Sequence, residues 1–369
     1  MTAHAFLPPS GADAWVHCAL WPTMNAAYPD VSTDESEEGT AAHWVVAERT
    51  WGVIHREGDR APNGTVVTRE MILGADLWMQ AIRPLLGQEL HVEETLRPSR
   101  YAPENWGTPD LWTFNLTTRR LDIADYKYGH GYVPATTWQL VDYAMLVLGQ
   151  LDLPTDFDID VHLHIVQPRC YDAEPHRAYV TRASHMRAQF NRLTNAAGEA
   201  RNPVPLARTG SHCKHCPGRH ACAALQRDGF AAMDEAFRTT PLELPPAALA
   251  VEMVLVERAL ERLSARATGL REQAMSSARA GRLPGWTIGR GRGTRKWAGD
   301  PVHVIEMGRT FGIILAKTEV AVTPGQAIAA GLPEEIVAAI SHTTPGPEKL
   351  VPAPDVSGIF SVDTSVNKP

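Results

Sequence analysis

The sequence lacks several features that would place it in common protein classes. No apolar run approaches the roughly 20 residues that a membrane-spanning helix needs. No G-x-x-x-x-G-K-[ST] motif is present, so the chain has no phosphate loop with which to unwind a duplex using ATP. No internal repeat is found. The N-terminal segment lacks a basic start and an apolar signal core, so we expect a cytoplasmic protein.

The sequence also lacks an excess of positive charge. Its 369 residues include 35 Lys and Arg against 42 Asp and Glu, so any contact with nucleic acid requires a local basic groove. Cysteine is scarce, with five in the chain. The odd count, with three cysteines close together, favours metal binding over disulfides in a reducing compartment. The 44% of hydrophobic residues is enough for one large domain or two ordinary ones.

The chemistry of the chain centres on residues 107–143. Two short apolar runs predict adjacent strands, the first opened by Asp110 and the second carrying Asp125. These carboxylates and the backbone carbonyl of Tyr126 are oxygen ligands of the kind that Mg²⁺ and Mn²⁺ prefer. Lys127 projects from the same strand face as Asp125, where it could orient an attacking water, favour its deprotonated form or neutralise developing charge. The alternative is a solvated hairpin with an Asp–Lys pair.

The hydrophobic periodicity alternates between that of helices and that of strands. We expect helices at about residues 10–20, 40–52, 70–86, 136–151 and 184–197, and strands at about 90–97, 156–168 and 176–182. The pattern predicts an α/β fold with a mixed central sheet flanked by helices. The acidic stretch at 30–38 is expected to be a solvated loop that leads into a helix.

Other polar residues on the predicted strands are weaker site candidates. Alternation does not decide whether Glu93 or Glu94 points towards the carboxylates, and we expect surface exposure. His162 and His164 share one strand face, as a metal-binding pair would, but we expect them to be ordinary polar residues on a half-solvated face.

Three cysteines fall within SHCKHCPGRHAC, residues 211–222. Cys213 and Cys216 have the two-residue spacer that lets both thiolates bind one centre, and Cys222 follows after five more residues. One interpretation is a zinc knuckle completed by a nearby histidine: His212, His215 or His220. The other is a [4Fe–4S] cluster that takes a fourth cysteine from elsewhere: Cys18 or Cys170.

Four short motifs together resemble the PD-(D/E)XK nuclease superfamily, and within it the RecB-like exonuclease branch. The motifs are Gly39-x-x-x-His43, Gly107-Thr-Pro-Asp110, Asp125-x-Lys127 and Gln139-x-x-x-Tyr143. Members with an iron–sulfur clasp have one cysteine upstream of the nuclease core and three downstream, spaced C-x₂-C-x₅-C, as this chain has. The AddB nuclease subunit, the CRISPR-adaptation nucleases and a set of phage-encoded exonuclease-like proteins share this arrangement. The segments PPSGADAWVHC and LPGWTIGRGRGTRKW look most like the phage-encoded group.

The resemblance, which covers about residues 8–225, implies a restriction-endonuclease-like fold and metal-dependent cleavage of DNA. It implies that Mg²⁺ or Mn²⁺ is bound by four residues: His43, Asp110, Asp125 and, through its carbonyl, Tyr126. It implies that Lys127 serves the nucleophilic water. Gln139 and Tyr143, otherwise a pair on an ordinary helix surface, would line the site and contact DNA.

The resemblance also implies an iron–sulfur clasp. The cluster would be held by Cys18, Cys213, Cys216 and Cys222, leaving Cys170 free. One departure from the family pattern is that Asp125 stands where many members have Glu. A structural cluster is expected, because a link between such distant parts of the chain restricts the unfolded state strongly.

The last third of the chain is predicted to form a separate region. We expect a nuclease domain at residues 1–232, a mostly helical region at 233–342 and a flexible tail at 343–369. Residues 245–281 carry an apolar stripe near heptad spacing, which favours a packing helix, with a partner helix as the alternative. The basic segment 279–296 is the candidate for contact with the DNA backbone; the alternative is a glycine-rich hairpin with solvated arginines.

These expectations describe a metal-dependent DNA exonuclease of phage or prophage recombination or DNA processing. It would act on DNA ends or single strands, alone or with a recombination or helicase partner, without a membrane, and it could be oligomeric. Two alternatives remain. One is a DNA-binding accessory protein that does not cleave, and the other is a zinc-stabilised structural protein whose motifs are accidental.

Overall fold

The computed structural model describes residues 5–28, 33–98, 102–151, 153, 157–170, 173–236, 243–290, 294–297, 301–317, 320–321, 324–329, 331–344 and 348–352. The chain divides into two compact units, one up to Arg266 and the other from Ala267. The division falls inside a long helix rather than near residue 232.

The first unit contains a five-stranded sheet and most of the helices. Its strands are β1 (His91–Val92), β2 (Leu111–Asn115), β3 (Arg120–Tyr126), β4 (Asp160–Val166) and β5 (His176–Arg182). Its helices are α1 (Ala12–Trp15), α2 (Trp21–Ala27), α3 (Asp34–Thr50), α4 (Arg69–Ile82), α5 (Trp138–Gln150), α6 (Arg187–Ala200), α7 (Ala223–Ala236) and the first part of α8 (Pro246–Arg279).

The sheet has the order β1-β2-β3-β4-β5 and mixes both kinds of pairing. Only the central pair β3–β4 is parallel among these strands, and its crossover contains α5. A parallel pair needs a long crossover, whereas the antiparallel neighbours can follow after shorter connections. The predicted mixed α/β architecture with a central sheet flanked by helices is therefore confirmed.

Alternating side chains of the central strands enter two separate hydrophobic cores. Leu121 and Ile123 of β3 pack in one core with Leu140 of α5. Ala124 and Tyr126 pack in the other core. The second core also contains residues of α3 and α4: Val45, Val46, Met71 and Trp78. Because successive side chains of a strand point to opposite faces, β3 joins the two layers and is buried on both sides.

Helix α3 begins earlier than the sequence pattern predicted. Thr33 caps it, accepting a hydrogen bond from the Ser36 backbone N–H at 3.2 Å, while Ser36 Oγ accepts one from the Thr33 N–H at 2.9 Å. Acidic residues occupy the first turn, where they complement the helix dipole. The prediction of a loop at 30–38 is therefore wrong from residue 34 onwards; residues 30–32 lie outside the described residues.

Two other predicted elements are shorter than expected. The predicted helix at 10–20 is a 3₁₀ turn at Pro9–Gly11 followed by α1, and α2 starts separately at Trp21. Pro22 suits the first turn of a new helix and cannot lie inside an existing one. The strand predicted at 90–97 is only His91–Val92, because Glu93 has a φ of 51°, which breaks the extended backbone.

The second unit combines short helices with two-stranded ladders. It contains β6 (Trp286–Arg290), β7 (Thr294–Trp297), α9 (Pro301–Thr310), β8 (Ala316–Lys317), β9 (Val320–Ala321), α10 (Pro324–Ala329), α11 (Glu334–Ile340), β10 (Ser341–Thr344) and β11 (Glu348–Pro352). The basic segment does not form a hairpin with itself, because β6 pairs with β11 and β7 pairs with β10. The tail predicted to be flexible from residue 343 thus supplies strand residues up to 352, and 353–369 lie outside the described residues.

The apolar stripe of α8 is exposed in its first half. Leu249, Met253, Val256 and Leu260 are 48%, 55%, 49% and 60% accessible. In this half of the helix the stripe does not pack against the described part of the chain, which differs from the packing helix that the pattern favoured. None of the described helices combines the length and the apolar character that crossing a bilayer requires.

Candidate functional site

The predicted metal ligands His43, on α3, and Asp110, just before β2, are in contact. Nδ1 of His43 lies 3.0 Å from Oδ1 of Asp110. The other oxygen, Oδ2, accepts a hydrogen bond from the Tyr126 backbone N–H at 2.5 Å. The Asp110 carboxylate is thus oriented from both sides by residues 67 and 16 positions away in the chain.

A second network joins the other predicted residues. Lys127 Nζ lies 2.9 Å from Asp125 Oδ2 and donates a hydrogen bond to Gln139 Oε1 at 2.7 Å. Gln139 Nε2 donates to Asp125 Oδ1 at 2.8 Å. These three side chains form a closed triangle, in which α5 contributes the amide and β3 the carboxylate. Gln139 is buried, so it is not an ordinary helix-surface residue.

Tyr143 lies one helical turn beyond Gln139 and is also buried. Its hydroxyl donates a hydrogen bond to the backbone carbonyl of Thr108 at 3.0 Å. Its ring lies 3.3 Å from the position that a Cβ on Gly107 would occupy, so a larger residue at 107 would crowd the ring. In this structure Tyr143 holds the segment that leads into Asp110.

Burial and mutual charge set the protonation of the first pair. Burial opposes a charged imidazole, but the Asp110 charge and hydrogen bond outweigh it and raise the pKa of His43 to about 9. Burial also opposes the Asp110 carboxylate, yet the neighbouring His43 and the Tyr126 N–H keep the pKa of Asp110 below its usual value. Without a bound cation the pair is therefore an ion pair at neutral pH.

The second network is electrostatically different. Burial, reinforced by the nearby Asp110 charge and only partly offset by Lys127, raises the pKa of Asp125. Burial opposes the ammonium of Lys127, but the charges of Asp125 and Asp110 outweigh it and raise the pKa of Lys127. Lys127 therefore keeps its proton at neutral pH.

Glu93, whose direction the sequence pattern left undecided, lies at the site. One oxygen of its carboxylate lies within 4.8 Å of ligand atoms of both His43 and Asp110. The residue as a whole remains exposed, as expected, but burial of the carboxyl beside the Asp110 charge raises the pKa of Glu93 to about 7. Its left-handed backbone is a conformation that non-glycine residues rarely adopt and that tends to occur at functional sites.

The group of His43, Glu93 and Asp110 opens onto a cleft of about 940 Å³. Its lining includes His43, Glu93 and Asp110 together with Glu38 and Arg169. Arg169 donates a hydrogen bond to Glu38 at 3.0 Å. The carboxylates on its wall favour a cation there.

The site offers the carboxylate and imidazole donors that a divalent cation would need. Oδ2 of Asp125 is buried, and its partner is the ammonium of Lys127 at 2.9 Å. A carboxylate oxygen has two lone-pair positions, so this single contact leaves one position at which a cation could be coordinated. The His43, Glu93 and Asp110 atoms already lie together, whereas Asp125 faces Lys127 and Gln139 and is not part of that group.

Four of the five cysteines line one small cavity. Cys18 follows α1, and the other three come from the loop between α6 and α7: Cys213, Cys216 and Cys222. None of the four is in a disulfide. Burial and the neighbouring cysteines raise the pKa of the Cys216 thiol to about 11 in the absence of any metal. Cys170 is buried and is not among the residues that line this cavity.

Close approach of the backbone brings the segment around Cys18 and the loop at residues 213–222 together. A Cβ on Gly218 would lie 2.7 Å from Met24 Cβ, so only glycine lets the loop pack this closely against α2. Arg192 Nη2 donates to the Val16 carbonyl at 2.5 Å. These contacts position the cavity independently of any bound group.

The spacing of the sulfur atoms can be compared with that of a zinc site. Tetrahedral zinc with Zn–S bonds of about 2.3 Å places its sulfurs about 3.8 Å apart. Among the described residues, no three of these sulfurs lie within 4.8 Å of one another. Of the histidines considered for a zinc knuckle, His212 lines the cavity.

The fold and site define a mixed α/β protein with a histidine–carboxylate centre and a four-cysteine cavity in one unit. The chain belongs to the family described as "Protein of unknown function (DUF2800)", whose model matches residues 4–310. Among solved structures, the chain is similar to SSO0001 with 16% identity and a TM-score of 0.31, over 61% of this chain and 89% of that one.

Proposed function

We propose that the protein is a Mg²⁺- or Mn²⁺-dependent DNA exonuclease with a RecB-like PD-(D/E)XK site. The observation that carries the proposal is the meeting of His43 and Asp110 beside the Asp125–Lys127–Gln139 triangle. Residues from four separate parts of the chain, matching the order of the nuclease motifs, come together at one end of the sheet. A solvated hairpin would not explain why Asp125 and Gln139 are buried.

The ion would be held by His43, Asp110 and Asp125 with the backbone carbonyl of Tyr126, and Glu93 adds a further carboxylate beside them. An ion bound there supplies Lewis acidity and lowers the pKa of a coordinated water. The Tyr126 ring is buried in the second core, so its backbone is the part available to the site.

Lys127 acts through its charge. Because its pKa is raised, its ammonium stays protonated, which favours orienting a water or stabilising negative charge over accepting a proton. Gln139 fixes the direction of the ammonium through the 2.7 Å hydrogen bond. Tyr143 positions the Thr108–Asp110 segment rather than using its hydroxyl on DNA.

The four-cysteine cavity supports a [4Fe–4S] cluster over a single zinc ion. A cluster of four irons and four sulfides is wider than one ion, which fits sulfurs that are not within zinc spacing. The cysteines would link residue 18 to residues 213–222 and so restrict the unfolded chain. Iron and acid-labile sulfide in anaerobically purified protein would support this proposal, and zinc alone would refute it.

DNA contact is proposed for the cleft and for the basic segment at 279–296. In the cleft, Arg169 is a lining arginine whose guanidinium stacks on the Tyr128 ring at 4.6 Å. In the second unit, Trp286 of β6 is 41% exposed, as an aromatic that stacks on a base needs to be. A role in phage or prophage DNA processing rests on the sequence resemblance.

The proposal is tested by incubating protein with Mg²⁺ or Mn²⁺ on matched linear and covalently closed circular DNA. The variant Asp110→Asn is compared with Asp76→Asn, which removes a half-buried carboxylate that is paired with Arg49 away from the site. We expect linear DNA to be degraded, circles to survive and only Asp110→Asn to be inactive. Cutting of circles would indicate an endonuclease.

The non-cleaving alternative gives a different result in the same assay. Protein that contains its cluster and binds DNA, but releases no nucleotides with either metal, would be a binding module and not a nuclease. That outcome would refute the enzymatic proposal while leaving the fold and the cysteine cavity unaffected.

A further inference from the structure

A second group of metal-binding side chains lies on the central sheet. One ligand atom each of Asp122, His162 and His164 lies within 4.8 Å of the other two. Asp122 precedes Tyr126 by four residues on the same face of β3, so the group is roughly 13 Å along the strand from the Tyr126 backbone. It shares no residue with the proposed nuclease site.

Strand geometry explains the convergence. His162 and His164 are two residues apart on β4, so both side chains leave the same face. Asp122 is the direct partner of His162 in the parallel β3–β4 register, and neighbouring strands are about 4.8 Å apart. Two imidazoles and a carboxylate are therefore fixed on adjacent rigid strands.

His162 is available as a ligand. It stacks on His164 with ring centroids 6.2 Å apart, and within the described part of the chain neither of its ring nitrogens makes a hydrogen bond. Neutral imidazole is the form that binds metal ions.

His164 is held in a fixed orientation. Its Nε2 lies 3.0 Å from Asp122 Oδ1, and its Nδ1 lies 3.1 Å from Nε2 of His176. A ring nitrogen that faces the metal position while the other nitrogen is held by a neighbour is the usual arrangement of a metal-bound histidine. His176 itself lines a cleft of about 340 Å³.

Arg120 is the feature that weighs against a metal. Its Nε donates to Asp122 Oδ2 at 2.7 Å and its Nη2 to Oδ1 at 2.6 Å. A carboxylate has about four lone-pair positions, and the two hydrogen bonds from Arg120 use two of them. The lone pair of Oδ1 on the side of His164 therefore stays available to a metal ion. The nearby Asp160 acts on both Arg120 and His162 and offsets part of the guanidinium charge.

We propose that Asp122, His162 and His164 bind a late first-row divalent cation, such as Zn²⁺, Ni²⁺ or Cu²⁺. Two nitrogens and one oxygen suit these ions, whereas Mg²⁺ prefers oxygen alone. Tetrahedral zinc with bonds of about 2.0–2.1 Å needs ligand atoms about 3.4 Å apart, which lies within the present spacing. Three protein ligands leave a position open to water. The ion would also join β3 to β4 near the centre of the sheet.

The test is calorimetric titration of full-length, cluster-containing protein with Zn²⁺ in excess Mg²⁺, which occupies oxygen-rich sites. We expect one saturable site whose affinity falls at least about tenfold in His162→Ala and in His164→Ala. His185→Ala removes an exposed histidine outside the group and should leave the titration unchanged. Circular dichroism of each variant confirms that it is folded.

The competing account is a metal-free network of Arg120, Asp122 and His164. It predicts no saturable zinc site that depends on His162, because His162 takes no part in that network. Zinc binding that is equal in wild-type and His162→Ala protein, or no zinc binding, would therefore overturn the proposal. Since no nuclease assay is involved, either result is independent of the function proposed above.

Discussion

Asp142 provides a quantitative test of how the first core is built. Its side chain on α5 is fully buried, and its one hydrogen bond comes from Asn105 Nδ2 at 2.8 Å. Oδ1 of Asp142 and Oδ1 of Asn105 are both buried without a partner. Burial, partly offset by the Asn105 bond, raises the pKa of Asp142 to about 8. The folded protein therefore keeps this carboxyl protonated at pH 7.

A raised carboxyl pKa makes the protein less stable as pH rises. The unfolded chain releases the Asp142 proton near pH 3.9, whereas the folded chain retains it up to about pH 8. Between these values the folded state binds more protons, so the free energy of unfolding falls by about 1.4 kcal/mol per pH unit. The loss is on the order of 4 kcal/mol at pH 7.

The variant Asp142→Asn should remove this pH dependence. The amide places a donor near the unpartnered acceptors and keeps an oxygen for Asn105, so it mimics the protonated acid. We expect the variant to exceed wild type in stability by on the order of 4 kcal/mol at pH 7, and by about 1–2 kcal/mol at pH 5. The assay is anaerobic denaturant unfolding at several pH values.

Asp234→Asn changes an exposed aspartate on α7 and is the matched control. It should follow the wild-type curve at every pH. If the free energy of unfolding changed with pH equally in wild type and Asp142→Asn, Asp142 would be ionised in the folded protein. The reasoning from burial would then be refuted.

Three further predictions concern packing and the two proposed centres. Gly74→Ala should lower the free energy of unfolding by about 1–3 kcal/mol, because the added Cβ would meet the Tyr126 hydroxyl. Gly198→Ala, whose added Cβ would enter open space, should raise it by up to about 1 kcal/mol. Thermal unfolding measures both. Cys216→Ser should lose most of the bound iron by metal analysis, and Cys170→Ser should keep it; equal iron in both would contradict the assignment. Glu93→Gln should weaken Mn²⁺ binding by about tenfold in paramagnetic resonance titrations, and unchanged affinity would exclude Glu93 from the site.

Local pattern predicted the parts of the fold that depend on sequence neighbours. The alternation at 156–168 gave β4, and the apolar stripe at 136–151 gave α5 to within two residues at each end. The spacing of Asp125 and Lys127 placed them on one strand face, and the two contact each other. The start of α3 was missed because acidic residues at a helix N-terminus resemble a solvated loop.

Features that depend on tertiary placement were not predictable in this way. Glu93 lies at the site because the backbone turns to a positive φ, which no alternation rule describes. Gln139 is buried only because α5 packs over β3. Asp122 meets His162 through the register of a parallel pair whose strands are separated by a long crossover. Such registers are set by the whole sheet and not by either strand alone.

The most direct test of the proposed nuclease site follows Mn²⁺ binding and nucleotide release from linear DNA together, in wild type and in Lys127→Met. Lys127 contacts Asp125 and Gln139 but is not a proposed ligand, so the variant should still bind Mn²⁺. We predict that wild type degrades the DNA and that the variant is slower by about 10²–10⁴-fold at equal Mn²⁺ occupancy. An inert wild type, or a variant that cleaves at the wild-type rate, would contradict the account.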